Sequence, residues 1–199
     1  MKKILSTPIT TEDVTSLKIG DVVYLNGLLV TCRDTGHKRR VLDGVIPKVD
    51  LKGGAVFHAG PIVKGSGADM QIVAIGPTTS MRMERYEKEF VELTGVKLII
   101  GKGGMGAKTT QACIDNKVVH AVYPGGCAVV AADQVEELID AEWLDLGMPE
   151  AFYVMKVKEF GPLIISIDTE GNNLFEQNKI VFNDRKSSAL AQLCQSIKK

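Results

Sequence analysis

The chain has 199 residues, 45% of them hydrophobic, and its 24 lysines and arginines balance its 24 aspartates and glutamates. That length and apolar content suit a substantial core in a single domain spanning 1–199. Zero formal net charge argues against nucleic acid as a partner, which would call for a basic excess, and every apolar run is too short to cross a membrane.

The opening MKKILSTPITTED carries two lysines but no apolar segment of the kind an export signal needs. Cys32, Cys113, Cys127 and Cys194 include no Cys-x-x-Cys pair, so tight metal or cluster spacing is absent. Scattered thiols without an export signal point to a reducing cytoplasm. His37, His58 and His120 are too dispersed in sequence to indicate a metal site.

In chain order, Met1 to Ile9 reads as an initial strand, and Thr10 or Thr11 as the cap of a short helical turn. Val22–Leu25 and Leu28–Cys32 flank Asn26-Gly27, the strongest short-range hairpin signal. Thr35 to Leu42 reads as a polar helix. Arg33 stands at the preceding strand's end, where it either faces a site or forms a surface ion pair near Asp34. Ala55–Ala59 is a strand, and Ile62–Lys64 with Met70–Ile75 forms a hairpin around Gly65-Ser66-Gly67.

The densest chemistry lies between Gly76 and Gly106. GPTTSMRME offers Thr78, Thr79 and Ser80 as helix caps, and Met83, Tyr86, Phe90 and Leu93 then fall on one helical face before Gly95. Arg82 in the first turn opposes the helix dipole, which makes sense if a carboxylate or phosphate sits there. The alternative is a surface pair with Glu84 or Glu87. Val96–Ile100 reads as a buried strand and Ala107–Lys117 as a helix, with GKGGMG between them. That turn matches G-x-G-x-x-G, but VVHAVYPGG supplies no ribose-binding acid some 20 residues on, and Lys102 is misplaced for a Walker A loop. What remains is a backbone nest with a lysine, suited to a small anion, or else a tight turn with a solvated lysine.

Further on, Val118–Tyr123 reads as a strand, Ala128–Ala132 as helical, and Gln134–Trp143 as either. Ala151–Val157 and Leu163–Ile167 are two strands joined through Lys158–Pro162. Asp184 to Lys199 is a terminal helix with Leu190, Leu193, Cys194 and Ile197 on one face. Hairpins followed by βαβ units imply a mixed α/β layered fold.

Seven blocks occur in order: TCRDTGH, HAGPIVK, GPTTSMRM, GKGGMG, GCAVVAA, LGMPEA and KEFGPLIISIDTEGN. From ILSTPI to about Leu174 the chain resembles the β subunit of class I fumarase and L(+)-tartrate dehydratase, iron–sulfur-dependent hydro-lyases. The resemblance implies a swivelling β/β/α domain with mixed sheets and flanking helices, and reversible elimination of water from a C4 2-hydroxy dicarboxylate. It implies a four-iron four-sulfur cluster on a partner α subunit, not ligated here, whose open iron acts as Lewis acid, and a cytoplasmic hetero-oligomer of (αβ)2 type. Carried over by motif, Arg33, Arg82 and Lys102 would bind substrate carboxylates, and Thr78 would bind substrate and act in proton transfer with an Asp of the partner. TTSMR in place of TTAGR, and GKGGMG in place of KGN-R, are usual in two-subunit members, and Cys32 leans towards the tartrate branch. Two readings from other classes stand beside this one: a dinucleotide-binding oxidoreductase built on GKGGMG, and a non-catalytic small-anion-binding module.

Overall fold

The computed structural model describes residues 3–197. The chain runs β1 (Lys3–Ser6), α1 (Thr11–Thr15), β2 (Val22–Thr31), α2 (Asp34–Val41), β3 (Ala55–Phe57), β4 (Ala59–Lys64), β5 (Gln71–Pro77), α3 (Glu84–Thr94), β6 (Leu98–Gly101), α4 (Ala107–Asn116), β7 (Val119–Val122), α5 (Ala128–Asp133), β8 (Val135–Glu142), β9 (Phe152–Ile167) and α6 (Leu174–Ile197). β1, β2, β3, β6 and β7 pair in parallel in that order. The long β9 then pairs antiparallel with β7 on one side and with β2 on the other, so the sheet turns back on itself like a barrel. β8 extends it along the first half of β9, and β4–β5 form a separate hairpin.

The strand sequences explain this layering. β3 reads AVF and β6 reads LIIG, all buried, as parallel strands covered on both sides require. Alternate residues go to opposite faces. Leu29, Phe57, Leu98, Ile100 and Ala121 join the interior core, whereas Val30, Val56, Ile99 and Val118 join a second core beneath the helices. Phe57, Tyr123 and Phe160 fill the interior with ring centroids 4.9 to 5.8 Å apart. On α3, Met83, Tyr86 and Phe90 are buried as their spacing predicts, but Leu93 faces solvent. Thr10 caps α1 in a reciprocal capping box with Asp13, and Gly95 ends α3 at φ 67°.

Two expected turns do not form. Asn26-Gly27 makes no hairpin, because β2 continues through it as a bulge with Gly27 at φ 97°. Likewise Lys158–Pro162 does not separate two strands, because β9 runs unbroken with Glu159 and Gly161 at positive φ. The two irregularities face each other, and Asn26 Oδ1 accepts the Glu159 N–H at 2.7 Å. Turn-forming residues here bend two paired strands instead of ending them. At the C-terminus, α6 starts ten residues earlier than its periodicity predicts, and its Leu190, Leu193 and Ile197 are exposed. The last two residues of the predicted helix, Lys198 and Lys199, lie outside the described residues.

Gly27 also admits no side chain, since a Cβ there would collide with Thr7 Oγ1. Gly27→Ala is expected to lower stability by about 1–3 kcal/mol, read as a shifted urea midpoint at unchanged slope.

Candidate functional site

The parallel strands β2, β3 and β6 end side by side, and the backbone ladder continues past them. The Cys32 N–H donates to Phe57 O at 3.0 Å and the His58 N–H to Ile100 O at 2.7 Å. Thr78, just beyond β5, wedges between these ends. Its N–H donates to His58 O at 2.6 Å, its carbonyl accepts the Lys102 N–H at 3.1 Å, and the Ser80 N–H donates to Lys102 O at 3.0 Å. Thr78 and Lys102 are therefore neighbours, and Arg33 leaves the adjacent strand end in extended conformation as the residue preceding α2. The Arg33 guanidinium lies over Gly60, where a Cβ would approach Nη1 to 2.5 Å. Gly60 is paired with Gly76, two residues before Thr78.

Arg82 sits in a single 3-10 turn, Ser80–Arg82, ahead of α3. Its partner is neither Glu84 nor Glu87. Nε donates to Asp34 Oδ1 at 2.9 Å and Nη2 lies 2.6 Å from Oδ2, a two-point clasp onto the residue following Arg33. Arg33 Nη1 donates to Pro149 O at 3.4 Å, and its Nε is ion-paired with Glu150 Oε1 at 3.2 Å. Glu150 Oε2 in turn accepts the Thr35 N–H at 3.1 Å. Lys102 is exposed, and no ion pair or hydrogen bond engages its ammonium among the described residues. Arg33, Thr78, Arg82 and Lys102 thus share one edge, and both guanidinium groups are steadied by internal carboxylates.

The glycine turn corrects one expectation. The amides at the start of α4 are already filled, because Glu84 accepts the N–H groups of Gly106 at 2.7 Å, Lys108 at 3.0 Å and Thr109 at 3.3 Å, and the Thr109 hydroxyl at 2.7 Å. A carboxylate from α3 occupies the position a pyrophosphate would take. The start of α4 is therefore closed to a dinucleotide pyrophosphate, and the turn presents Lys102 as an exposed cation.

Sequence reading missed what lies behind this edge. His37, Glu87, His58, Ser80, His120 and Ser166 are all fully buried and form one polar chain. His37 Nε2 and His58 Nε2 stand 3.4 and 3.1 Å from Glu87 Oε2. His58 Nδ1 and His120 Nε2 each lie 3.1 Å from Ser80 Oγ, and His120 Nδ1 lies 2.6 Å from Ser166 Oγ. His37 Nδ1 must carry a proton, because it bonds the Arg33 carbonyl at 2.9 Å. Burial opposes charge on His37, but Cys32 and Glu87 beside it outweigh that and hold its pKa well above the ordinary value. Burial likewise opposes ionisation of Glu87, and the facing His58 and His37 rings hold its carboxyl below the usual carboxylate range. Burial, reinforced by the His58 ring, drives His120 down to about 3. The only sequence signal was position, since His58 and His120 sit at a strand end or in a strand and His37 in the helix that follows one.

The cysteines of this chain do not fit an iron–sulfur cluster. Cys32 and Cys113 are buried on α2 and α4 sides of the helical layer, Cys127 precedes α5, and Cys194 is exposed on α6. Among the described residues one group has metal-competent spacing, His37, His58 and Glu87, with ligand atoms within 4.8 Å of one another and no thiolate.

Comparison with known proteins bears on this edge. Residues 2–178 match the Fumarase C-terminus family. The L(+)-tartrate dehydratase subunit beta of Escherichia coli K12 is 54% identical over 198 residues, 99% of this chain and 98% of that protein. A putative L(+)-tartrate dehydratase subunit beta of Methanocaldococcus jannaschii is 42% identical over 180 residues, 87% of this chain and 92% of that protein. A putative fumarate hydratase class I of Geobacillus stearothermophilus is 38% identical over 192 residues, covering 96% of this chain but 35% of its own length.

The buried groups set the pH dependence of stability. His120 and Glu87 have depressed folded-state pKa values, so their contributions are complete above the ordinary values of 6.5 and 4.5 and are lost on acidification. His37 has a raised value, so its contribution is complete below 6.5 and is lost as pH rises through the folded-state value. The melting temperature is expected to fall as pH drops from 6.5 towards 3, and His120→Gln, though less stable at pH 7, should show a shallower fall over that window by calorimetry.

Proposed function

Because this chain belongs to the Fumarase C-terminus family, we propose that it is the β subunit of an iron–sulfur-dependent hydro-lyase that interconverts a 2-hydroxy dicarboxylate and its dehydrated product. On this reading residues 1–199 form one domain of the swivelling β/β/α type, working in the cytoplasm within an (αβ)2 assembly. The four-iron four-sulfur cluster belongs to the α subunit, and this chain's contribution is confined to binding, orientation and proton handling.

The observation that carries the reading is the lacing of Thr78 between His58 and Lys102, with Arg82 clasped to the residue after Arg33. A C4 dicarboxylate carries two negative charges, and planar guanidinium groups suit carboxylates as a lysine suits a point contact. Asp34 takes Nε and Nη2 of Arg82, which leaves Nη1 for substrate. Glu150 and Pro149 take Nε and Nη1 of Arg33, which leaves Nη2. Holding both ends of the substrate orients its C2–C3 bond for elimination. The C3 proton then needs a positioned base. The Thr78 hydroxyl is too weak a base alone, so a carboxylate of the α subunit completes it, and the isolated chain is inactive.

L(+)-tartrate is the substrate favoured by the full-length similarity to tartrate dehydratase β subunits. Malate and fumarate form the second reading, favoured by the similarity to a class I fumarate hydratase over 96% of this chain. Anaerobic assay of the chain reconstituted with its α subunit, on L-tartrate and on malate, separates the two. Turnover of neither removes the hydro-lyase reading.

Within that complex, Arg82→Ala is expected to raise KM roughly 10- to 100-fold, the loss of one charge-assisted contact. The half-exposed side chain should leave the fold intact, and unchanged kinetics would remove Arg82 from the site. Thr78→Ala should lower kcat by roughly 10²- to 10⁴-fold with a smaller change in KM, and wild-type turnover would take Thr78 out of proton transfer.

A further inference from the structure

The buried chain behind the edge is tied to every segment that carries a candidate site residue. His37 Nδ1 donates to the Arg33 carbonyl. His58 supplies the carbonyl that accepts the Thr78 N–H. Ser80, between Thr78 and Arg82, is held by His58 on one side and His120 on the other. Glu87 faces both His37 and His58, and joins the two halves. We propose that Glu87 is the positioning residue of the dicarboxylate site: through His37, His58 and Ser80 it fixes where Arg33, Thr78 and Arg82 stand. This rests on the reading of the edge given above.

Stability alone is a poor reason for such a chain. Burying a carboxylate and three imidazoles away from water is costly, and hydrocarbon of similar volume commonly stabilises as well or better. One proton arrangement links the serine and histidine members of the chain, whereas both Glu87 oxygens and the Nε2 atoms of His37 and His58 are buried without a hydrogen-bond partner among the described residues. The Ser166 hydroxyl donates to His120 Nδ1, His120 Nε2–H to Ser80, the Ser80 hydroxyl to His58 Nδ1, and His58 Nε2–H points towards Glu87. His37, protonated on both nitrogens, answers the same carboxylate. The hydrogen-bonded part holds Ser80 between two rings, and Glu87 ties His37 to His58 through ion-pair contacts at 3.4 and 3.1 Å. Gly101 makes room for it, since a Cβ there would collide with Ser80 Oγ.

A metal ion is the competing occupant of the His37, His58 and Glu87 group. A structural first-row ion such as zinc takes four ligands, and among the described residues the group contains three. His37, 3.4 Å from Glu87 and held protonated beside it, answers the carboxylate without an ion.

The test uses the full chain, alone and reconstituted with its α subunit. Ser80→Ala removes one hydroxyl and is the milder variant, and Glu87→Gln keeps shape but removes charge. Leu5→Ala, on β1 in the interior core, serves as a stability control. Ser80→Ala and Glu87→Gln are expected to raise KM at least 5-fold, and to speed hydrogen exchange at the Thr78 and Lys102 amides at least 10-fold. Leu5→Ala should lower the melting temperature without moving KM. Variants that lower the melting temperature but leave KM and exchange as in wild type would overturn the proposal. So would stoichiometric metal in the full chain that Glu87→Gln loses. If the wild-type complex turns over no C4 hydroxy acid, the hydro-lyase reading fails separately. Exchange then decides: acceleration retains Glu87 as the organiser of this edge, and no acceleration ends the proposal.

Discussion

A carboxylate shut away from water keeps its charge only if something close by answers it, and Glu87 is answered by two imidazoles from different elements. His37 comes from α2 and His58 from the end of β3, while Glu87 itself stands on α3. The contact therefore fixes two helices and a strand relative to one another at the edge where the cations gather. Apolar packing of Phe90 and Val91 against Val56 and Ile99 brings α3 onto the sheet, but such packing tolerates small slides. The ion pairs of Glu87 with His37 and His58 add a second, polar tie between the same elements.

The arginines show the same division of labour. A free guanidinium on a long stem explores many rotamers, and ordering it on binding costs free energy. Asp34 holds Arg82 at two points and Glu150 holds Arg33, so much of that cost is met before any ligand arrives. Lys102 lacks such a partner among the described residues and remains the adaptable member. Two steadied forks and one loose point charge suit an acid whose two ends must be held while its middle reacts.

Much of this was readable from the chain. Periodicity located α3, the β-branched runs located the parallel strands, and family resemblance singled out Arg33, Thr78, Arg82 and Lys102, which lie near one another in the structure. The failures have physical causes. Asn26-Gly27 looked like a hairpin because local turn preference was judged without the partner strand, and β9 pairs across it as a bulge. The terminal helix was expected from Asp184 with an apolar face, whereas it begins at Leu174 and Leu190, Leu193 and Ile197 of that face are exposed. The three histidines looked unrelated because parallel strands bring together residues far apart in sequence, and neither spacing nor composition encodes that. The ion-pair alternative for Arg82 looked only to Glu84 and Glu87 nearby, whereas its aspartate lies 48 residues away.

The bond between Glu84 and the start of α4 has a metabolic consequence. Cells are rich in phosphorylated metabolites, and a glycine turn leading into a helix is where such molecules commonly lodge. Here a built-in anion has already taken that berth. Sugar phosphates and nucleotides find the amides of Gly106, Lys108 and Thr109 already taken.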